Sequence, residues 1–383
     1  MRAAALVLAA SGCIISAPEG APQSWPPRLG ITVQAVTAGD LDGNGSTDVV
    51  VYSSGKESQA GMYLLTGGQD LGAGSARPVQ SFSKFVPAPL QIPTAALQLG
   101  GVAPSIFVAT AEDTVFDDPG DRVEITQYSN ILTEKARVTS TVLAGNAVLW
   151  LHAINFPGAM LHIAVSNGGT IDHAASNFAD VKAIPAPGAP TWDLAQLATS
   201  YPSGMDQIAV VATPTQIQRS PVPSPTVNMF AWTVVRNGPA WVGQTSIDLD
   251  GDMREEIVGL DLAGKQVCVV DPGVATVPVT PVCLAIPMLS PSNEVTLHVG
   301  TNITMNAGPD ILIVQATGSD SQYTLVEDYT YTPGTLISTL IHGVPVLGPA
   351  HGRTVIANSG PGTPNSVLAF GTDGAVTCVL GPC

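Results

Sequence analysis

The run "DVVVYS" at residues 48–53 has six counterparts along the chain: "SIFVAT" from Ser105, "LHIAVS" from Leu161, "DQIAVV" from Asp206, "EIVGLD" from Glu256, "DILIVQ" from Asp310 and "RTVIAN" from Arg353. Successive anchors lie about 51 residues apart on average. Several follow a turn-forming stretch, as in "PSGMD" and "NAGPD". Each is preceded, a turn earlier, by a second apolar run such as "ITVQAV", "AALQL", "VLWLHAI" or "VTLHV". Further strand patterns follow the anchors, among them "GMYLLTG", "RVEITQY", "QVCVVD" and "SVLAFG". With 39 Gly and 32 Pro in 383 residues, the chain has the turn supply that many short strands require.

A unit of this size with four short strands cannot cover both of its faces, so the copies have to stack on one another. Stacking of four-stranded sheets around an axis gives the fold expected here: all-β, a seven-bladed β-propeller of four-stranded blades over residues 30–383. The anchor runs are apolar on both faces because inner strands are covered by the neighbouring sheets. A β-helix would show a much shorter period. The length by itself admits one domain or two.

Two stretches before anchors carry concentrated acid. In "AGDLDGNGSTDVVVYS", Asp40, Asp42, Asn44, Ser46 and Asp48 occupy positions 1, 3, 5, 7 and 9, an alternation that aims successive oxygens at one centre. Gly43 and Gly45 supply the backbone freedom for so tight a coil. In "SIDLDGDMREEIVGL" the same positions hold Asp248, Asp250, Asp252, Arg254 through its carbonyl, and Glu256. Such oxygen-rich loops suit calcium, which takes 6 to 8 oxygens at flexible geometry, better than magnesium. An EF-hand is excluded, because its twelfth position would be Val51, already inside an apolar strand. Four carboxylates in the second loop against three in the first predict tighter binding there. A solvated acidic turn is the alternative for each.

The form D-x-D-G-[DN]-x-x-x-[DE] followed by a hydrophobic triplet, recurring at this spacing, resembles the FG-GAP and VCBS repeats of integrin α-subunit propellers and of many bacterial surface proteins. The resemblance spans nearly all of residues 30–383, and its motif is intact in two units. Units four and six keep the ninth-position acid alone, as Asp206 and Asp310, and units two, three and seven lack the loop. It implies a seven-bladed propeller with calcium in the loop joining the first two strands of a blade.

The N-terminus reads as an address. Arg2 precedes "AAALVLAA", a run of secretory length and far short of a membrane span, followed by "ASGC". Small residues before a cysteine resemble the bacterial lipoprotein processing box, so residues 1–12 are read as a signal peptide and Cys13 as the lipidated residue. Ala10 stands where that box usually has leucine, which keeps plain secretion as the alternative. Residues 13–29, rich in proline, are expected to form an extended tether. The resulting location is extracytoplasmic, with the membrane reached through the lipid anchor alone. Cys268, Cys283, Cys378 and Cys383 remain, an even number for an oxidising space. Of their three possible pairings, Cys268 with Cys283 across neighbouring strands and Cys378 with Cys383 are favoured, with buried thiols as the alternative.

A net charge of −16 repels a phosphate backbone, so nucleic acid is excluded as a natural partner. No H-E-x-x-H, G-x-S-x-G or P-loop is present. The histidines at 152, 162, 173, 298, 342 and 351 are scattered, several within strand-like runs, and read as structural. Asp117, Asp118 and Asp121 lack the ligand alternation and read as a solvated turn. Tyr323, Tyr329 and Tyr331 present two options, an aromatic contact patch or packing between blades. The functional expectation is a monomeric surface scaffold that binds or adheres to protein or glycan, without catalysis. The alternative is an extracytoplasmic propeller enzyme acting on polysaccharide as a lyase or hydrolase.

Overall fold

A computed structural model describes the backbone of the strands named below, together with residues 40–47 except Asp42, 214–215, 231–273 except Met253, 278–293, 358, 365, 371 and 374–375. Every regular element among them is a β-strand. In chain order these are β1 (Gln23–Ser24), β2 (Val33–Gly39), β3 (Asp48–Ser53), β4 (Gly61–Leu65), β5 (Arg77–Ser81), β6 (Ala95–Gln98), β7 (Ser105–Glu112), β8 (Arg122–Ser129), β9 (Glu134–Ser140), β10 (Trp150–Asn155), β11 (Leu161–Ser166), β12 (Thr170–Ala175), β13 (Val181–Pro185) and β14 (Leu194–Gln196). They continue as β15 (Ile208–Ala212), β16 (Gln216–Pro221), β17 (Thr233–Asn237), β18 (Val242–Ile247), β19 (Glu256–Asp261), β20 (Gln266–Val270), β21 (Val282–Ala285), β22 (Val295–Thr301), β23 (Pro309–Thr317), β24 (Asp320–Thr332), β25 (Thr335–Val346), β26 (Thr354–Ala357), β27 (Ser366–Phe370) and β28 (Val376–Leu380).

Consecutive strands pair antiparallel in fours: β2 to β5, β6 to β9, β10 to β13, β14 to β17, β18 to β21 and β22 to β25. The last group takes its fourth strand from the other end of the chain, in the order β1-β28-β27-β26, with Gln23 opposite Cys378 and Ser24 opposite Thr377. Part of the segment expected to be a tether is therefore a strand. The first strands of successive sheets touch in chain order, from β2 through β6, β10, β14 and β18 to β22, and β26 touches β2. Sheets stacked in this way cover one another's apolar faces.

The core consists of these inter-sheet layers. Val210, Ala212 and Ile217 of one sheet meet Ile257, Cys268 and Val270 of the next, with Trp241 between them. Val258, Leu260 and Val267 pack with Ile311, Ile313 and Val326. Leu312, Val314 and Leu325 pack with Val367 and Ala369, and Leu368 and Phe370 pack with Val49 and Val51. The anchor strand β19 is buried at every residue, which is why its sequence carries no alternation.

Six anchors lie within two residues of the start of a second strand, namely β3, β7, β11, β15, β19 and β23. The seventh anchor departs from that pattern. "TVIA" after Arg353 forms β26, the first strand of its sheet, and the equivalent second strand is β27 at Ser366–Phe370. Both runs are apolar, and without an acidic loop between them the sequence offers no marker of which comes first.

Two tight approaches fix the strand packing. Gly243, with φ +60, sits at the register shift between β18 and β19, and a Cβ there would meet Leu297 N at 3.3 Å. Gly259 lies under Trp241, whose Cε3 would stand 2.6 Å from an added Cβ.

Candidate metal centre

Both acidic loops join the first and second strands of their sheets, one between β2 and β3 and the other between β18 and β19. They adopt one coil, visible in three matched hydrogen bonds. The second-position amide donates to the ninth-position carboxylate, Leu41 N to Asp48 Oδ2 at 2.9 Å and Leu249 N to Glu256 Oε2 at 2.8 Å. The fourth-position amide donates to the first-position carboxylate, Gly43 N to Asp40 Oδ1 at 2.8 Å and Gly251 N to Asp248 Oδ1 at 2.7 Å. The seventh-position amide donates to the fifth-position side chain, Ser46 N to Asn44 Oδ1 at 2.7 Å and Arg254 N to Asp252 Oδ1 at 2.8 Å. Gly43 and Gly251 both have φ 79, a conformation that a side chain at the fourth position would strain.

The coil is anchored from below. Leu41 and Leu249, at the second position, turn into the core, and the ninth-position acids Asp48 and Glu256 are buried beneath the loops. Leu249 joins the apolar layer that also holds Tyr331 and Leu336 of the next sheet. The first loop is tied to its neighbour by polar contacts instead: Thr47 N donates to Asn358 Oδ1 at 2.9 Å, and Asn358 N donates to Thr47 Oγ1 at 3.0 Å. Asp310 is buried at the corresponding position of β23, where the rest of the acidic loop is missing. Asp42 and Asp206 lie outside the described residues.

In the second loop Asp248, Asp250 and Glu256 each bring a carboxylate oxygen to within 4.8 Å of the others. Asp252 is not one of the three, although its N–H donates to Asp250 Oδ1 at 3.1 Å. Its Oδ1 accepts from Arg254 N, and its Oδ2 lies 3.7 Å from Arg254 Nε. Burial, reinforced by Asp250, Asp271 and Asp252 and opposed by the Leu249 hydrogen bond, pushes the Glu256 carboxyl up to about 8. Partial desolvation and the nearby Asp252 and Asp248 raise Asp250 as well. Burial, with Asp252 and Asp250 adding and Arg254 opposing, raises Asp271, a residue that the loop spacing alone does not mark. Three converging oxygens on a coil that holds its negative charge at a cost form a donor set suited to a hard divalent cation. When bound, such a cation supplies positive charge and oxygen coordination; Asp248, Asp250 and Glu256 would hold it, with Asp252 and the Arg254 carbonyl completing the loop's set.

Cys268 and Cys283 are opposite each other on β20 and β21 and are disulfide-bonded, with Cα atoms 4.1 Å apart. Cys378 is disulfide-bonded too, to a partner outside the described residues. Cys13 and Cys383, the leader, and Asp117, Asp118 and Asp121 also lie outside them. His152, His162, His173, His298 and His342 all sit in strands. Tyr323 and Tyr331 are buried in separate apolar layers, so packing is the option they take, whereas the Tyr329 side chain and His351 lie outside the described residues.

No family model matches the sequence, and no curated protein matches it. Solved structures do. The crystal structure of BBS1N in complex with ARL6DN, soaked with lead, aligns over 92% of this chain and 94% of that one, with a TM-score of 0.55 at 13% identity. The Myceliophteria thermophila Cps50 (Swd1) β-propeller domain aligns over 91% of this chain and 96% of that one, with a TM-score of 0.51 at 10% identity. The Pseudomonas aeruginosa periplasmic gluconolactonase PpgL covers 88% of this chain and 95% of its own, with a TM-score of 0.49 at 14% identity. Likeness at such low identity speaks for the fold alone. Stacked four-stranded antiparallel sheets, linked through their first strands and aligned end to end with propeller structures, identify the chain as an all-β protein with the β-propeller fold.

Proposed function

We propose that the chain is an extracytoplasmic seven-bladed propeller of the FG-GAP/VCBS kind, held to a membrane by lipidated Cys13, in which calcium pins two blade loops and the assembled disc serves as a surface binding scaffold for protein or glycan. The observation that carries the reading is the convergence of Asp248, Asp250 and Glu256 on one point within a coil that the first loop repeats. Seven sheets of four strands, the last completed by β1, support the blade number and a closed ring.

Calcium in this scheme is structural. Like charges packed in nine residues repel one another, and a cation converts that repulsion into a fixed entry angle for β3 and β19. Extracellular modules of this type bind calcium with dissociation constants on the order of 10⁻⁴ to 10⁻³ M, a range matched to an external compartment. The anionic surface and the short leader agree with that compartment.

The test is a glycan and protein array probed with the purified protein in calcium and in chelator. The proposal expects a ligand retained in calcium and lost or weakened in chelator. Turnover of a polysaccharide, with no stable binding, would replace the scaffold by the enzyme.

A further inference from the structure

Arg254 occupies the seventh position of the second loop, where the ligand set needs only a backbone carbonyl. Its side chain is nonetheless used. Asp252 meets Arg254 through both carboxylate oxygens, Oδ1 accepting the backbone N–H at 2.8 Å and Oδ2 standing 3.7 Å from Nε. Asp252 is also the one acid of the alternating set that is absent from the converging group of Asp248, Asp250 and Glu256. At the matching place in the first loop, Ser46 carries no charge, and its N–H binds the neutral Asn44 Oδ1 at 2.7 Å.

We propose that Arg254 is an affinity-setting counter-ion built into the second loop, which holds Asp252 away from the cation and lowers the affinity that four carboxylates would otherwise give. This inference rests on the calcium reading of that loop. For Asp252 to coordinate through Oδ2, its contact with the guanidinium has to be given up. The exchange leaves Arg254 positively charged beside the ion, so binding is opposed twice, by the lost pair and by repulsion. The first loop has one carboxylate fewer, and none of its nine positions holds an arginine or lysine. Arg254 thereby brings the two loops toward similar affinity.

The pair is partly exposed, and a charge contact of this kind corresponds to no more than about a fivefold change in binding. Calcium titration calorimetry and thermal melting on the wild type, Arg254→Gln, Asp252→Asn and the double variant test the proposal, with the second-loop component identified as the one lost in Asp250→Ala. Arg254→Gln is expected to bind calcium about fivefold more tightly at that loop. In the Asp252→Asn background the same substitution should gain clearly less than in the wild-type background, because the competing pair is already gone and only the repulsion of the ion remains. Melting moves in opposite directions: Arg254→Gln melts lower than wild type in chelator, having lost the counter-ion, and higher in calcium. Lys265→Gln removes a positive charge from the far end of β19 and should change neither.

Unchanged or weaker binding in Arg254→Gln overturns the proposal, as does an equal gain in both backgrounds, which would reduce Arg254 to a diffuse charge. Failure of the calcium reading is separately visible. In that case the wild type and Asp250→Ala give the same titration, and the competition scheme falls with it.

Discussion

Leu249 and Glu256 are joined across the second acidic loop by a hydrogen bond from the Leu249 amide to Glu256 Oε2, 2.8 Å long. The leucine side chain points into the layer between two sheets while its backbone holds the buried acid in place. Loop conformation and sheet stacking are thus set by the same two residues. Leu41 and Asp48 repeat the hydrogen bond at 2.9 Å in the first sheet.

Asp250→Ala removes one of the three converging oxygens and also one of the charges that raise Glu256. In calcium the variant should melt several degrees below wild type, since the ligand stabilises only the state that binds it. In chelator it should melt at the same temperature or slightly higher, because a repelling carboxylate has gone. Paired scans in calcium and chelator check both signs.

Tyr331 carries the packing of the long β24–β25 hairpin against the neighbouring sheet, in one layer with Leu249, Leu289 and Leu336. Tyr331→Ala should cost about 3 kcal/mol in urea unfolding, as truncation of a buried ring leaves a cavity. Tyr331→Phe keeps the ring and should cost less than about 1 kcal/mol.

Gly259→Ala places a methyl 2.6 Å from Trp241 Cε3, and the indole cannot yield freely because Arg236 lies over it, 3.8 Å from the ring centroid. A loss of about 1–3 kcal/mol is expected, with altered tryptophan fluorescence. Trp241→Leu in the same background should recover part of it by relieving the overlap.

His298 has an enclosed Nε2 without a hydrogen-bond partner, and burial holds its pKa down to about 4 from the ordinary 6.5. Between those values the unfolded chain binds a proton that the folded protein refuses. Stability from the neutral ring is therefore full above about pH 6.5 and is lost as the pH falls toward 4. His298→Leu should flatten this part of the acid limb, by on the order of 1–2 kcal/mol at pH 5 relative to pH 7. Urea melts at pH 7, 5.5 and 4.5 measure the difference.

The sequence makes the strands and loops legible to different degrees, for physical reasons. Buried strands such as β19 announce themselves as unbroken apolar runs, and the loops are legible because their oxygen-bearing side chains fall at alternate positions, the pattern a cation site would need. The exchange between β26 and β27 at the end of the chain is not, because both are short apolar runs and their order depends on which one meets β2. The completion of the last sheet by Gln23–Ser24 is equally hidden, being a pairing between the two ends of the chain with no local pattern. Asp271 and Arg254 enter the electrostatics of the second loop through tertiary proximity and a side-chain contact that spacing does not encode. Tyr323 and Tyr331 look like an aromatic patch in sequence, yet they project into different layers of the fold.

On the proposed reading, divalent cations pin two like coils within the propeller. Calorimetric titration of the purified protein with calcium, repeated on Asp40→Ala and Asp250→Ala, tests it most directly. The account predicts two binding events for the wild type and the loss of a different one in each variant, with dissociation constants on the order of 10⁻⁴ to 10⁻³ M. A flat titration of the folded protein, or variants that titrate as the wild type does, would contradict it.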